Sequence, residues 1–349
     1  MERKLASIQI IKDLQPIPGA DAILVANVLG WQCVVKKTEF SVNDLCVFFE
    51  IDSILPIANW NAHLRKGSDV DKPLRVKTIR LRGQLSQGLA LPISLLQTYA
   101  VSDRCEYEIG QDVTELVGVK KYEPYIPAEL HGKVKGTRPS WIPKTDETRL
   151  QSAPEALTEL LALNTEVVGT FKMDGSSVTC FVKDGVFGVT SRNMELLETE
   201  DNAYWKTIRR LKVEEKMRAH LPVGGGNYAV QGELIGPGIQ GNRMGLKELD
   251  IHWYNLYHID TGTYFSTKML LDFTLSSSLT MVQVHYAGKF PAGTTVNYLL
   301  EMANDLNYAN GLPAEGLVWR PYHEAKSEVL KGRMSFKTVS NRYLEKYKE

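Results

Sequence analysis

The sequence predicts an α+β protein of two domains, and three observations support this. Short strand-like runs separated by turn residues fill residues 1–118, a segment rich in proline and glycine follows, and strands mixed with helix-periodic stretches occupy the remainder. The length of 349 residues also exceeds what one hydrophobic core usually organises. We therefore expect domains at residues 1–118 and 144–349, joined by a linker at residues 119–143.

The first domain is predicted to be a small β-barrel, closed or partly open. Turn signals such as Asp52-Ser53 separate its short strand-like runs. These runs lie at residues 7–11, 22–29, 32–35, 45–51, 74–81 and 88–92. Barrels of the oligonucleotide-binding (OB) kind are built from a few short strands in this way, so we expect an OB-like domain.

Four cations lie close together in the run at residues 74–82, which is the candidate nucleic-acid-binding segment. A continuous strand would place Arg75 and Lys77 on one face and Arg80 and Arg82 on the other. The charges could line a nucleic-acid groove, or they could protect a solvated edge strand against aggregation. The OB-like character of the domain favours the groove.

The segment between Lys120 and Pro143 contains four prolines and two glycines. These residues make a long regular element implausible, so the segment is predicted to be the domain boundary. Beyond it, helix-periodic stretches lie at residues 153–163 and 202–220. Predicted strands lie at residues 166–172, 177–183, 186–190 and 228–234.

Composition narrows the possible classes of protein. A formal net charge of zero excludes a uniformly basic nucleic-acid coat but leaves local basic patches possible. The four cysteines have no C-x-x-C spacing, so we expect buried thiols rather than a zinc site or a disulfide framework. We see no signal-peptide core and no apolar run of bilayer length. We expect a soluble protein of a reducing compartment, cytoplasmic with the nucleus left open.

Lys172, Asp174 and Gly175 form a K-x-D-G sequence at the predicted end of a strand. A deprotonated lysine in such a place can attack the α-phosphate of a nucleotide and hold the nucleotide as a phosphoramidate. The alternative is an ordinary lysine that leads into a Met-Asp-Gly hairpin turn. A motif of four positions recurs by chance, so the rest of the chain must decide.

Five further segments follow Lys172 in a recognisable order. They lie at residues 191–193, 230–234, 253–257, 314–318 and 335–337. Together with the K-x-D-G sequence they resemble the motifs of the covalent nucleotidyltransferases, the superfamily of polynucleotide ligases and messenger-RNA capping enzymes. The resemblance covers residues 144–343 and implies an ATP-grasp-like domain of mixed antiparallel sheets with helices.

The resemblance also implies roles for individual residues. Lys172 would be the nucleophile, and Lys337 would contact the α-phosphate. Arg192 would contact the ribose or a phosphate, and Glu233 the ribose hydroxyls. The late second lysine of many members is missing here or is supplied by Arg333.

The base and the metal would be held by a second group of residues. Phe171 would contribute to the nucleotide pocket, and Tyr257 would stack on the purine. Trp253 and Tyr254 lie close enough to Tyr257 to leave this register open. Asp174 and Glu315 would contact the metal, directly or through metal-bound water.

Elementary chemistry constrains the mechanism that the resemblance implies. A lysine with its ordinary pKa of about 10.4 is protonated and unreactive at neutral pH. Nearby cations must lower that pKa, and Lys337, a divalent metal or both could do so. Carboxylates and phosphate oxygens are hard ligands, so the expected metal is Mg²⁺ or Mn²⁺.

The order of the domains narrows the family further. A barrel before the transferase domain, with only 12 residues after Lys337, resembles RNA ligases of the Naegleria and Deinococcus kind. The sequences of residues 144–147 and 335–341 also resemble the corresponding motifs of these RNA ligases. This implies ATP-dependent joining of a 3′-hydroxyl to a 5′-phosphate through a lysyl-AMP intermediate. The expected partner is RNA or an RNA-containing duplex with a nick, and the expected state is a monomer.

Two other functions stay open at this point. A capping-type guanylyltransferase would use GTP with the same lysine motif, and labelled ATP and GTP would separate the two. A non-catalytic nucleic-acid-binding protein could retain a decayed transferase domain. In that case Lys172→Ala would cause no loss of activity.

Overall fold

The computed structural model describes residues 4–65, 71–82, 84–99, 107–122, 133–221 and 226–347. The chain forms two compact units. Unit 1 consists of Met1–Tyr125, Leu150–Pro154 and Leu344–Glu349, and unit 2 of Ile126–Arg149 and Glu155–Tyr343. Each unit contains strands, and the helices of unit 2 pack on mixed sheets, so the predicted α+β class is confirmed. No helix in the described ranges is both long and apolar enough to cross a bilayer.

Unit 1 is built from short strands, as an OB-like domain requires. They are β1 Ala6–Ile10, β2 Asp13–Ile17, β3 Ala20–Val28, β4 Trp31–Lys36, β5 Leu45–Phe49, β6 Ser53–Leu55, β7 Leu74–Arg75, β8 Ile79–Leu81, β9 Gln84–Ser86, β10 Leu89–Pro92 and β11 Lys120–Lys121. They pair in the orders β1-β5-β10, β2-β3-β4, β11-β6-β7 and β8-β9. The sequence did not predict β2, because Pro16 argues against a strand. Proline is tolerated there because β2 is an edge strand with a bulge at Pro16.

The core of unit 1 explains two of the cysteines. Cys33 lies between Trp31 and Val35 on the same, buried face of β4. Cys46 is buried in β5. Burial raises the pKa of both thiols to about 12, which makes them unreactive. Cys105 lies outside the described residues.

The strand predicted at residues 74–81 is not continuous. β7 ends at Arg75 and β8 begins at Ile79, and the two strands belong to different sheets. Arg82 adopts a left-handed backbone conformation with φ of 51° after β8. The four cations therefore do not share the two faces of one strand.

Unit 2 contains two larger sheets and several helices. Its strands are β12 Val134–Thr137, β13 Thr148–Arg149, β14 Val167–Lys172, β15 Ser176–Lys183, β16 Val186–Thr190, β17 Met194–Leu196, β18 Tyr228–Ile235, β19 Asp250–His258, β20 Thr263–Tyr264, β21 Thr280–Met281, β22 Val284–Gly288, β23 Gly316–Pro321, β24 Lys326–Ser327, β25 Gly332–Arg333 and β26 Phe336–Val339. The helices are α1 Glu155–Ala162, α2 Ala203–Arg210, α3 Val213–His220, α4 Thr267–Ser277 and α5 Val296–Asn304, and the final helix of the chain is α6 Asn341–Tyr347.

The two sheets have simple strand orders. One sheet runs β12-β17-β16-β15-β18-β19-β20, with β21 beside β19, and the other runs β13-β26-β23-β14-β22. All pairs in them are antiparallel except β13–β26 and β19–β21. The helix predicted at residues 202–220 is divided into α2 and α3, because Lys212 between them has a φ of 55°. The side chain of Asn202 caps α2 by accepting hydrogen bonds from the backbone N–H groups of Tyr204 and Trp205.

The larger sheet has one face covered by helices. Val178, Val230 and Trp253 are fully buried on that face together with side chains of α2, α3 and α4. Because strand residues alternate between faces, Ser177 and Glu233 lie on the opposite face. That opposite face carries the candidate site.

Candidate active site

Lys172 ends β14 and pairs with Gly316 of β23. Its Nζ lies 2.5 Å from Oε1 of Glu315. Burial lowers the pKa of Lys172, but the carboxylates of Glu315, Glu233 and Asp174 act against burial and leave the pKa above its ordinary value. In the ligand-free protein Lys172 is therefore an ammonium group. The neighbouring carboxylates favour the protonated form of the amine.

The backbone on each side of Glu315 is held in place. Its N–H donates to the hydroxyl of Tyr308 at 3.3 Å, and its carbonyl accepts from the N–H of Ser340 at 2.9 Å. Gly316 follows with a φ of 149°, and a Cβ there would collide with the carbonyl of Thr338. Glu315 is thus presented to Lys172 by a fixed strand end.

Glu233 lies in β18 opposite Ser177 of β15. Burial raises its pKa to about 8, Lys172 opposes this rise, and the carboxylates of Glu315 and Asp174 add to it. At neutral pH most of the Glu233 side chains in the ligand-free protein carry a proton. Burial, helped by the neighbouring carboxylates, therefore favours the neutral form of Glu233 in the ligand-free site.

Gly175 brings the K-x-D-G turn against β18. A Cβ at this position would collide with the carbonyl oxygen of Leu234 and lie 2.7 Å from Cγ of Glu233. Only glycine allows this approach without a shift of the backbone. The motif glycine thus sets how closely the turn approaches Glu233.

Asp174 is buried, with 8% of its surface exposed. Nη1 of Arg243 lies 2.7 Å from its Oδ2, and the same Nη1 donates to the hydroxyl of Tyr343. The sequence analysis missed Arg243. The available signal was the dense set of glycines around it, at positions 236, 238, 241 and 245, which marks a specially shaped loop.

The donor set around Lys172 suits a hard divalent cation. Asp174, Glu233 and Glu315 supply oxygen atoms only, and Glu315 and Asp174 add to the rise in the pKa of Glu233 that burial causes. Among the described residues, no group of three His, Cys, Asp or Glu side chains is arranged to hold a metal by itself. The site therefore fits a Mg²⁺ or Mn²⁺ ion bound with help from water and phosphate oxygens.

Arg192 follows β16, and its Nη2 contacts both carboxylate oxygens of Asp146 at 2.8 and 3.1 Å. Its charge also acts on Glu233. The segment that carries Asp146 is held at a second point, where Oγ1 of Thr145 lies 3.4 Å from Oγ of Ser177. Arg192 is therefore near the carboxylate cluster, in an ion pair that is more than one-third exposed on each side.

The register of β19 separates the three candidate base-stacking aromatics. Trp253 is fully buried on the helix-covered face. Tyr254 lies near Thr145, Ser177 and Glu233. Tyr257 instead packs beside Tyr264, with ring centroids 5.0 Å apart, in a small apolar cluster. Stacking on Tyr257 stays a prediction, and Tyr254 is the aromatic of the three that the structure places near the carboxylates.

Lys337 and Phe171 occupy opposite faces of the second sheet. On β23, Lys172 pairs with Gly316 and Lys337 pairs with Val318. Because these two partners are two residues apart, the side chains of the two lysines lie on the same face of the sheet. Phe171 precedes Lys172 and points to the other face, where its ring centroid is 6.0 Å from that of His285. The ring of Phe171 therefore lies on the opposite face of the sheet from the side chain of Lys172.

Arg333 belongs to a polar network beside this site. It pairs with Glu324, donates to Oδ1 of Asn255 at 2.7 Å, and lies 4.0 Å from the ring centroid of Tyr264. These contacts account for its guanidinium group, so the structure does not place Arg333 as the second late cation.

The four candidate cations of unit 1 have different environments. Arg75 pairs with Asp52 at 2.7 Å and lies over the ring of Tyr122. Arg80 pairs with Glu345 at 2.7 Å. Lys77 and Arg82 are exposed. A cavity of about 510 Å³ adjoins Arg75 and Lys77, and the sequence analysis missed two of its cations, Arg65 and Lys72. The described residues that line the cavity are Leu64, Arg65, Lys72, Pro73, Leu74, Arg75 and Lys77.

Comparisons with known proteins agree with both units. A family model described as an OB-fold domain matches residues 5–93, and one described as RNA ligase matches residues 165–339. No curated protein sequence matched the chain. Among solved structures, Naegleria gruberi RNA ligase with PPi is 35% identical, with 99% of each chain covered and a TM-score of 0.85.

Two variants of the same Naegleria gruberi RNA ligase are equally similar. One, solved with AMP and Mn, has 35% identity and a TM-score of 0.86. The other, solved with ATP and Mn, has 34% identity and a TM-score of 0.84. Each alignment covers 99% of both chains.

Proposed function

This chain belongs to the RNA ligase family, and we propose that it uses ATP to join a 3′-hydroxyl to a 5′-phosphate through a lysyl-AMP intermediate on Lys172. The observation that carries the proposal is the position of Lys172, 2.5 Å from Glu315 at the end of a strand and beside the K-x-D-G turn. The similar Naegleria structures, solved with PPi, AMP, ATP and Mn, support ATP and a divalent metal here.

The first step forms the lysyl-AMP. A bound Mg²⁺ or Mn²⁺ would supply positive charge that favours the neutral amine. The ammonium of Lys172 loses its proton to water, and Nζ then attacks the α-phosphorus of ATP. A P–N bond forms while the bond to the bridging oxygen of the β-phosphate breaks, and pyrophosphate leaves. Lys337, on the same face as Lys172, is positioned to stabilise charge on the α-phosphate.

Two further steps complete the reaction. An oxygen of the RNA 5′-phosphate attacks the same phosphorus, the P–N bond breaks, and Lys172 takes up a proton as its amine is released. The 3′-hydroxyl then attacks the 5′-phosphate, loses its proton and displaces AMP. The products are a phosphodiester bond and free AMP.

We propose a nick in a duplex, with RNA on the hydroxyl side, as the substrate of a monomeric enzyme. Lys77 and Arg82 are the exposed cations of the predicted segment, and Arg65 and Lys72 add positive charge to the cavity beside it. Contacts of this kind bind phosphates without reading sequence and weaken as salt is added. Arg75 and Arg80 form ion pairs with carboxylates of the protein, so we expect them to contribute less to phosphate binding.

The first experiment uses ATP or GTP labelled on the α-phosphate. With Mg²⁺ and ATP, the wild-type protein should become covalently labelled, and Lys172→Ala should not. Lys206→Ala, which changes an exposed lysine of α2, is the matched control and should label normally. Label from GTP alone would indicate a capping-type guanylyltransferase. Label that persists in Lys172→Ala would place the nucleophile elsewhere.

The substrate proposal has its own test. Sealing should be compared on nicked duplexes that carry either RNA or DNA at the 3′-hydroxyl end. The double variant Lys77→Ala/Arg82→Ala should weaken nick binding and its salt dependence while sparing self-adenylylation. Equal loss of both activities would argue for a role of these cations in folding instead.

A further inference from the structure

We propose that Arg243 is a positioning residue that occupies the carboxylate of Asp174 and keeps it from capturing the Lys172 amine. This inference rests on the proposed function, because it concerns the attack of Lys172 on ATP. Arg243 lies outside every motif that the sequence analysis used. It contacts Asp174, which lies 69 positions earlier in the chain and two residues after Lys172.

The contact between the two side chains is close and sheltered. Nη1 of Arg243 is 2.7 Å from Oδ2 of Asp174, with 17% and 9% of the respective side chains exposed. The guanidinium carbon lies 5.1 Å from the ring centroid of Tyr343, whose hydroxyl accepts a hydrogen bond from the same Nη1. The aromatic ring and the carboxylate together fix the orientation of the guanidinium group.

The loop that carries Arg243 is built to hold it in place. Asn242, with a φ of 49°, donates to the carbonyl of Leu246 at 2.8 Å and accepts from the N–H of Leu246 at 3.0 Å. Nδ2 of Asn310 donates to the carbonyl of Arg243 at 2.8 Å. Hydrogen bonds thus hold the backbone at Arg243 itself and join the residue before it to Leu246. An incidental ion pair on the surface would not need a loop held at these points.

The effect on catalysis follows from the arrangement of charges. Lys172 must leave its partner Glu315 to reach the α-phosphate. Asp174 is two residues away and also acts on Lys172 electrostatically. A buried carboxylate without Arg243 would be strongly unfavourable unless it found another cation, and Lys172 belongs to the same cluster. The amine would then be held by two carboxylates, and its attack on ATP would be slowed without loss of ATP binding.

The test is a double-mutant cycle with Arg243→Gln and Asp174→Asn, read as the single-turnover rate of lysyl-AMP formation. We expect Arg243→Gln to lower the maximal rate by about tenfold or more, and to change the half-saturating ATP concentration by less than about threefold. Asp174→Asn should lower the rate by itself, because Asp174 also belongs to the proposed metal site. Relative to that lower rate, Arg243→Gln should cause almost no further loss, because the carboxylate that Arg243 restrains is gone. Arg210→Gln, an exposed change of the same type, is the control.

Two results would overturn the inference. Losses that multiply in the double variant would show that Arg243 acts independently of Asp174, and a raised half-saturating ATP concentration with an unchanged maximal rate would make Arg243 an ATP-binding group. If Arg243→Gln does not fold by thermal melting, Arg243→Lys replaces it in the cycle under the same criteria. Failure of the wild-type protein to label at all would refute the proposed function instead, so the two failures are distinguishable.

Discussion

The raised pKa of Glu233 predicts how the stability of the ligand-free protein depends on pH. The folded protein keeps the Glu233 proton up to a pH of about 8, whereas the group releases it near 4.5 when unperturbed. A group whose pKa is raised by folding contributes stability that is fully present below the unfolded pKa. This contribution is lost as the pH rises from 4.5 to 8. Glu233→Gln carries no proton to lose, so it should not show this loss.

The size of the effect follows from the two pKa values. One pKa unit corresponds to about 1.4 kcal/mol. The change in the pKa of Glu233 from 4.5 to about 8 therefore limits the loss of unfolding free energy between these pH values to about 5 kcal/mol. Partial exposure of the side chain and screening by solvent make the real effect smaller. At about 2 °C per kcal/mol for a protein of this size, the melting temperature should fall by several degrees between pH 5 and pH 9.

The assay is thermal unfolding of metal-free and nucleotide-free protein at intervals between pH 5 and pH 9. Wild type and Glu233→Gln should differ little at low pH, and the variant should become the more stable of the two above pH 8. Glu301→Gln, which changes an exposed carboxylate on α5, should follow the wild type. Parallel curves for wild type and Glu233→Gln would refute the reasoning, because they would mean that Glu233 is ionised throughout.

Three further predictions follow from contacts in unit 2. Gly175→Ala should lower the free energy of unfolding by about 1–3 kcal/mol in denaturant titrations, because its Cβ would overlap β18, whereas Gly136→Ala has open space and should be nearly neutral. Glu147→Gln breaks a sheltered pair with Arg320 and should cost about 3–5 kcal/mol, against about 1 kcal/mol or less for Asp146→Asn in its exposed pair, again by denaturation. Chelation of divalent metal should abolish lysyl-AMP formation, and added Mg²⁺ or Mn²⁺ should restore it; label formed in excess chelator would contradict the metal assignment.

The sequence predicts the site where a residue acts through its own chain neighbourhood. Lys172 could be identified because a strand, a carboxylate and a glycine follow one another within four positions, and the motif order then led to Glu233 and Glu315. The structure places these three residues together. Local order carries such information because a strand end and a turn are specified by adjacent residues.

The sequence fails where the partner of a residue is distant. Asp174 and Arg243 are 69 positions apart, and no periodicity links them. The interpretation of residues 74–82 as one continuous strand failed for the same reason. Arg75 forms an ion pair with Asp52, 23 positions earlier, and the strand ends at Arg75. Counting charges in a segment cannot reveal which of them are already paired elsewhere in the fold.

The charge of the active site explains why a lysine held in its protonated form is compatible with catalysis. In the ligand-free protein, the ammonium of Lys172 and the guanidinium of Arg243 balance Asp174 and Glu315, and Glu233 keeps its proton. A neutral amine with all three carboxylates ionised has two fewer protons, which equals the charge of one divalent cation. The cluster can therefore exchange two protons for Mg²⁺ or Mn²⁺ without a change in net charge. In the proposed mechanism Lys172 therefore stays protonated until a cation arrives, and Arg243 contributes one of the positive charges in this balance.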